Sequence, residues 1–94
     1  MLITMICLDK PGHVDLRMKT RPAHLEWINA HTPPSLFIGP IIADDGETLM
    51  GSLYIAEFES LAAARAFQKQ DPYEKVGLFE RVIIQPTRKL FPKS

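Results

Sequence analysis

Ninety-four residues, 46% hydrophobic and 23% charged, specify one ordinary soluble globular domain over residues 1–94. Eleven basic and eleven acidic side chains cancel, which excludes the basic footprint of a nucleic-acid binder and leaves no sustained acidic run. The single cysteine excludes an intramolecular disulfide, no Cys/His spacing resembles a zinc site, and the apolar run Leu2 to Leu8 is too short for a membrane span and lacks the flanks of a signal peptide. The reading is a cytoplasmic protein with no membrane or nucleic-acid partner, no metal and no cofactor.

Leu2-Ile3-Thr4-Met5-Ile6-Cys7-Leu8 reads as a strand that is apolar on both faces, and Asp9-Lys10-Pro11-Gly12 breaks it. Cys7 lies in this strand, where a buried inert thiol is expected. His13 to Thr20 carry a weak helical pattern through Val14, Leu16 and Arg17. Thr20 then reads as the cap of a restarted helix with Pro22 in its first turn. His24, Trp27, Ile28 and His31 recur at i, i+3, i+4 and i+7, the spacing of an inward stripe, and His31-Thr32-Pro33-Pro34 ends the helix near Ala30. On this reading His24 lies close to a helix N-terminus. The positive field there disfavours protonation and keeps the imidazole able to accept a proton.

Leu36 to Ile42 forms the second strand, with Gly39-Pro40 marking an edge position or a bulge, because proline cannot donate to a ladder. Asp44-Asp45-Gly46-Glu47-Thr48 is a hairpin turn, and Met50 to Phe58 is the third strand. Ser60 caps a second helix with a Leu61, Ala64, Phe67 stripe, and Asp71-Pro72-Tyr73 ends it. Glu74-Lys75-Val76 adds a turn before Gly77, Leu78 to Gln85 is the fourth strand, and residues 86–94 form a basic, proline-punctuated C-terminal extension. The order βαββαβ predicts an α+β, ferredoxin-like antiparallel sheet with two helices on one face. Helices cover one face only, yet the first two strands are apolar on both. A homodimer packing sheet against sheet resolves that conflict.

Arg21-Pro22-Ala23-His24-Leu25, Gly39-Pro40, Gly51-Ser52, Ala56-Glu57-Phe58-Glu59-Ser60 and Asp71-Pro72-Tyr73 followed by Gly77 together resemble the YciI-like (YCII-related) family, in order and over nearly the whole chain. The resemblance implies a dimeric α+β barrel similar to that of muconolactone isomerase. It also implies an active site built on a histidine–aspartate pair, and the matching positions are His24 and Asp71. Many members of the family have no assigned reaction, and one acts as a dehydrochlorinase on a chlorinated hydroxyquinol. The second hairpin is shorter here than in many relatives.

Each candidate has a bland alternative. A histidine on an inward helix face is more often structural, and Asp before Pro at a helix end is a common turn-former. With the resemblance, His24 becomes the acid/base and Asp71 its orienter. Tyr73 either donates to a substrate oxygen or packs. Ser52 is a polar contact without the elbow motif of a nucleophile. Trp27 is expected to be mostly buried as a wall of any pocket, Arg21 to meet a carboxylate or solvent, and Gly39 and Pro40 to shape the strand beside the site. His13 and His31 read as surface residues. Two classes of function follow: a small cofactor-independent enzyme that moves a proton in an isomerisation, elimination or dehalogenation of a small cyclic or aromatic-derived acid, or a non-catalytic dimeric module that binds a small metabolite or assists another enzyme.

Overall fold

The structure, a computed structural model, describes residues 1–93. Its elements are β1 (Leu2–Asp9), α1 (Val14–His31), β2 (Ser35–Ile42), β3 (Leu49–Glu57), α2 (Leu61–Lys69), α3 (Pro72–Lys75) and β4 (Phe79–Pro86). The strands form one antiparallel sheet in the order β2-β3-β1-β4. This is the expected ferredoxin-like arrangement, with α3 added as a short third helix.

Strand alternation shows which face the helices cover. Ile3, Met5 and Cys7 on β1 and Tyr54 and Ala56 on β3 are almost fully buried, while Thr4, Ile6, Leu53 and Ile55 between them are only half-buried. The covered face packs Ile3, Met5 and Tyr54 against Ile28 of α1 and Ala64 of α2, with Phe58, Phe67 and Ile84 around them. A smaller cluster of Cys7, Tyr73, Leu78 and Phe79 closes the end of the sheet near α3. The Cys7 thiol pKa is pushed up to about 12, first by burial and then by the nearby Asp71 charge. The thiol is an inert core group.

Pro40 does lie on an edge strand, opposite Ser52. The register shifts, however, flank it between Ser35 and Phe37 and between Ile41 and Ile42, so the bulge expected at Gly39-Pro40 is not there. The β2–β3 turn is held by Asp45, whose carboxylate accepts from the Glu47 and Thr48 amides at 2.8 Å each and from the Thr48 hydroxyl. Gly46 supplies the positive φ of +76° that the turn needs.

The first helix departs from the sequence reading. It is continuous from Val14 to His31 and does not restart at Thr20. Pro22 removes one backbone donor, but it lies on the solvent side, as does Met18, whose carbonyl loses that bond. Water can satisfy that carbonyl, so the helix continues. Thr20 is therefore a buried residue of the helix interior and not a cap.

Candidate active site

The buried side chains of α1 are Arg17, Thr20, His24 and Ile28, spaced by three, four and four residues. They form one stripe, and three of the four are polar. This stripe lies over the sheet and against α3, so the helix turns its chemistry-bearing side inward. His24 is about three turns from the start of α1, outside the reach of the N-terminal field. The expected dipole effect therefore does not apply, and the imidazole is governed by its side-chain neighbours.

The first neighbour is Asp71. His24 Nδ1 donates to Asp71 Oδ1 at 2.9 Å, linking the middle of α1 to the N-cap of α3. The same oxygen accepts from the Tyr73 amide at 2.9 Å, the N-cap bond that starts α3, with Pro72 at its first position. Tyr54 Oη donates to the other carboxylate oxygen at 3.4 Å. The turn-forming and site-forming readings of Asp71 are thus the same geometry: the carboxylate that caps α3 also meets the imidazole. Asp71 is 1% exposed and lies behind His24, not on the cavity wall. Burial is the first cause that pushes the Tyr54 phenol far above its ordinary range, and the Asp71 charge adds to it, so Tyr54 remains a donor.

The second neighbour is Tyr73. Its ring stacks on His24 with centroids 4.3 Å apart and planes 18° apart, and the Arg17 guanidinium lies over it at 4.2 Å. Arg17 donates to both oxygens of Asp9, at 2.6 and 3.0 Å, and to Ser52 Oγ at 2.9 Å. Burial acts to lower the Arg17 pKa, but the Asp9 hydrogen bond and charge outweigh it, so the guanidinium is firmly cationic.

These groups surround a cavity of about 230 Å³ between α1, β2 and β3. Its wall includes Arg17, Arg21, His24, Ser52, Tyr54 and Tyr73 on the polar side, with Leu25, Ile28, Ile38, Gly39, Pro40 and Leu49 on the apolar side. Ligand pockets commonly run from about 300 to 1,000 Å³, so this space suits a compact molecule of about one ring. His24 Nε2 has no protein partner among the described residues, and His24 lines the cavity.

Of the sequence candidates, His24, Tyr73, Ser52, Arg21, Gly39 and Pro40 all line this cavity. Trp27 does not. It is half-buried on the far side of His24, packed on Phe67 with ring centroids 4.7 Å apart. The expectation of a mostly buried Trp27 forming a pocket wall is corrected on both counts, because its place on α1 faces α2 rather than β2. His31 is exposed, and His13 is half-buried, with its Nδ1 donating to the Pro11 carbonyl at 2.8 Å. Among the described residues no group of His, Cys, Asp and Glu side chains is placed to hold a metal ion. Among the described residues no helix is long and apolar enough to cross a membrane.

The sequence reading missed Arg17, Asp9 and Tyr54. Arg17 was visible only as a charge in a weak helical pattern and Asp9 only as a strand breaker. The available signal was the spacing of Arg17, Thr20 and His24, a polar stripe at helical period, which a search for apolar periodicity passes over.

Comparison with known proteins agrees with this fold. The family model for the YCII-related domain matches residues 1–88. Protein YciI of Escherichia coli O6:H1 is 38% identical over 98 residues, covering 97% of this chain and 100% of that protein. An uncharacterized protein of Haemophilus influenzae is 33% identical over the same share of both chains. Among solved structures, the 5-chloro-2-hydroxyhydroquinone dehydrochlorinase of Burkholderia phenoliruptrix AC1100, in complex with 2,5-dihydroxybenzoquinone, superposes with a TM-score of 0.85 at 28% identity, covering 94% of each chain.

Proposed function

The chain belongs to the YCII-related domain family, and from that premise we propose that it is a cofactor-independent acid–base catalyst in which His24 moves a proton on a small cyclic or aromatic-derived acid. One observation carries the reading: an imidazole anchored through Nδ1 to a buried carboxylate at 2.9 Å, with its other nitrogen left to a compact cavity. Nε2 takes a proton from a substrate O–H or C–H. Asp71 fixes the tautomer and stabilises the imidazolium that forms, without itself taking the proton. Tyr54 and the Tyr73 amide hold Asp71 in place.

The cationic wall fits the same chemistry. Removing a proton leaves an enolate or phenolate, and Arg17 and Arg21 lie on the wall to stabilise that oxygen. If the substrate carries a halogen, the electron pair released by deprotonation expels it as halide. The net loss is HX, with no external oxidant or reductant. The Burkholderia relative is by name a dehydrochlorinase and was solved with a dihydroxybenzoquinone, which supports a compact anionic ring as the ligand class.

The test is an assay of chlorinated hydroxyquinols and small enolisable cyclic acids, following halide release and solvent deuterium uptake. His24→Ala and Asp71→Asn should each lose about 10²–10⁴-fold in rate, and the double variant little more, because paired residues act non-additively. Full activity in His24→Ala would refute the proposal. Tight binding without turnover would move the assignment to the metabolite-binding module.

A homodimer belongs to the same proposal. Thr4, Ile6, Leu53 and Ile55 form the half-buried open face of the sheet, and Phe37 on β2, opposite Ile55, is 48% exposed. A second copy packed on that face buries it, and such obligate interfaces cover more than about 2,000 Å² in total. A stable monomer in sedimentation at micromolar concentration would refute the dimer.

A further inference from the structure

We propose that the groove between α2 and the free edge of β4 is a second ligand site, separate from the His24 cavity, that takes a compact oxyanion. The groove has a volume of about 500 Å³ and shares no lining residue with the His24 cavity. Arg65 and Lys69 of α2 and Arg81 of β4 line it, and no aspartate or glutamate does. Among the described residues none of the three cations has a carboxylate within ion-pair distance. In a chain whose charges balance overall, three uncompensated cations around one concavity form a local excess. Arg65 and Lys69 are four residues apart on one helix face, a like-charge spacing that weakens a helix unless something neutralises it.

The second observation is Gln68. It stands four residues after Ala64 on the buried side of α2, is only 5% exposed and lines the groove. Its Nε2 is enclosed and has no hydrogen-bond partner among the described residues. Buried amides in folded proteins are nearly always paired. A bound oxyanion offers oxygens to the two guanidinium forks, which match carboxylate and phosphate geometry, and a half-turn of the terminal Gln68 amide presents its N–H donors to the same oxygens. Helical periodicity buries this position, four residues after Ala64 and seven after Leu61, and the sequence puts an amide there where an apolar side chain would serve the core.

The experiment titrates the full chain, isotopically labelled, with inorganic pyrophosphate and separately with citrate, each against sodium chloride at matched ionic strength. The reporters are the Gln68 side-chain amide and the Arg65 and Arg81 Nε–H signals. The expected result is a saturable shift of all three together. A response to pyrophosphate but not citrate identifies a phosphate ligand, and the reverse a carboxylate. Combining Arg65→Gln with Arg81→Gln should weaken binding about tenfold or more through the loss of two charge-assisted contacts. Gln68→Leu should also weaken it, while raising the melting temperature of the unliganded protein because the orphaned amide is gone. His24→Ala should bind as the parent does, so the outcome is independent of the acid–base assignment. A silent Gln68 amide, an equal response to chloride, or shifts led by Arg88 and Lys89 of the C-terminal segment would overturn the site. So would undiminished binding by Gln68→Leu.

Discussion

The buried ion pair beside the cavity gives a sharp test of how the site is held. Asp9 and the Arg17 guanidinium meet at 2.6 and 3.0 Å with side chains 6% and 3% exposed. Replacing Asp9 with alanine leaves the cation enclosed, with Ser52 and the Tyr73 ring as its remaining partners. Breaking a buried pair from one side costs about 3–5 kcal/mol, because the desolvation of the other charge is no longer offset. A chain of 94 residues has about 5–14 kcal/mol of stability in all, so the loss takes a large share. At about 4–8 °C per kcal/mol for a domain this size, Asp9→Ala should melt at least about 12 °C below the parent. The double variant Asp9→Ala, Arg17→Met removes both charges and keeps a thioether on Tyr73. It should be more stable than Asp9→Ala alone. Calorimetry or circular dichroism melts of the parent, both single variants and the double variant decide it. A shift under about 4 °C for Asp9→Ala, or a double variant costing the sum of the singles, would refute the reasoning.

Further expectations follow from packing and titration. Cys7, Tyr54 and Tyr73 all have raised pKa values in the fold, burial being the first cause in each, against ordinary values of 9.0, 10.0 and 10.0. Their protons are held in both states below about pH 9, but above it the unfolded chain releases them first, so stability should fall steadily as pH rises toward about 12; a melting temperature flat across that range would contradict this. Gly51→Ala places a methyl 2.6 Å from the Cys7 carbonyl oxygen, backbone that cannot swing away, and should cost about 2 kcal/mol or more in urea unfolding. Gly39→Ala meets only the exposed Phe37 ring at 2.9 Å and should cost clearly less. Trp27→Ala should lose about 2–3 kcal/mol, under the 3–5 of a fully buried tryptophan, and should leave cavity binding intact, since Trp27 packs on Phe67 and not on the cavity.

What the sequence determined by itself is what depends on short-range rules. Strand alternation, the Asp45-Gly46 turn, the Ser60 cap and the proline punctuation set the βαββαβ order, and a fixed order of amphipathic elements leaves few ways to bury them. His24 and Asp71 were legible as a pair only through a resemblance, because 47 positions separate them along the chain. Their contact exists because α1 and α3 pack together, and no periodicity records that. The same holds for Arg17, which looks like a surface arginine until the fold brings Asp9, Ser52 and Tyr73 around it. The continuity of α1 through Pro22 was also decided by tertiary structure. One lost backbone bond on the solvent side weighs less than docking the whole stripe of Arg17, Thr20, His24 and Ile28. Local pattern fixes which element a residue belongs to, whereas burial of a polar side chain is favourable only when distant partners satisfy it, and only the folded chain supplies those partners.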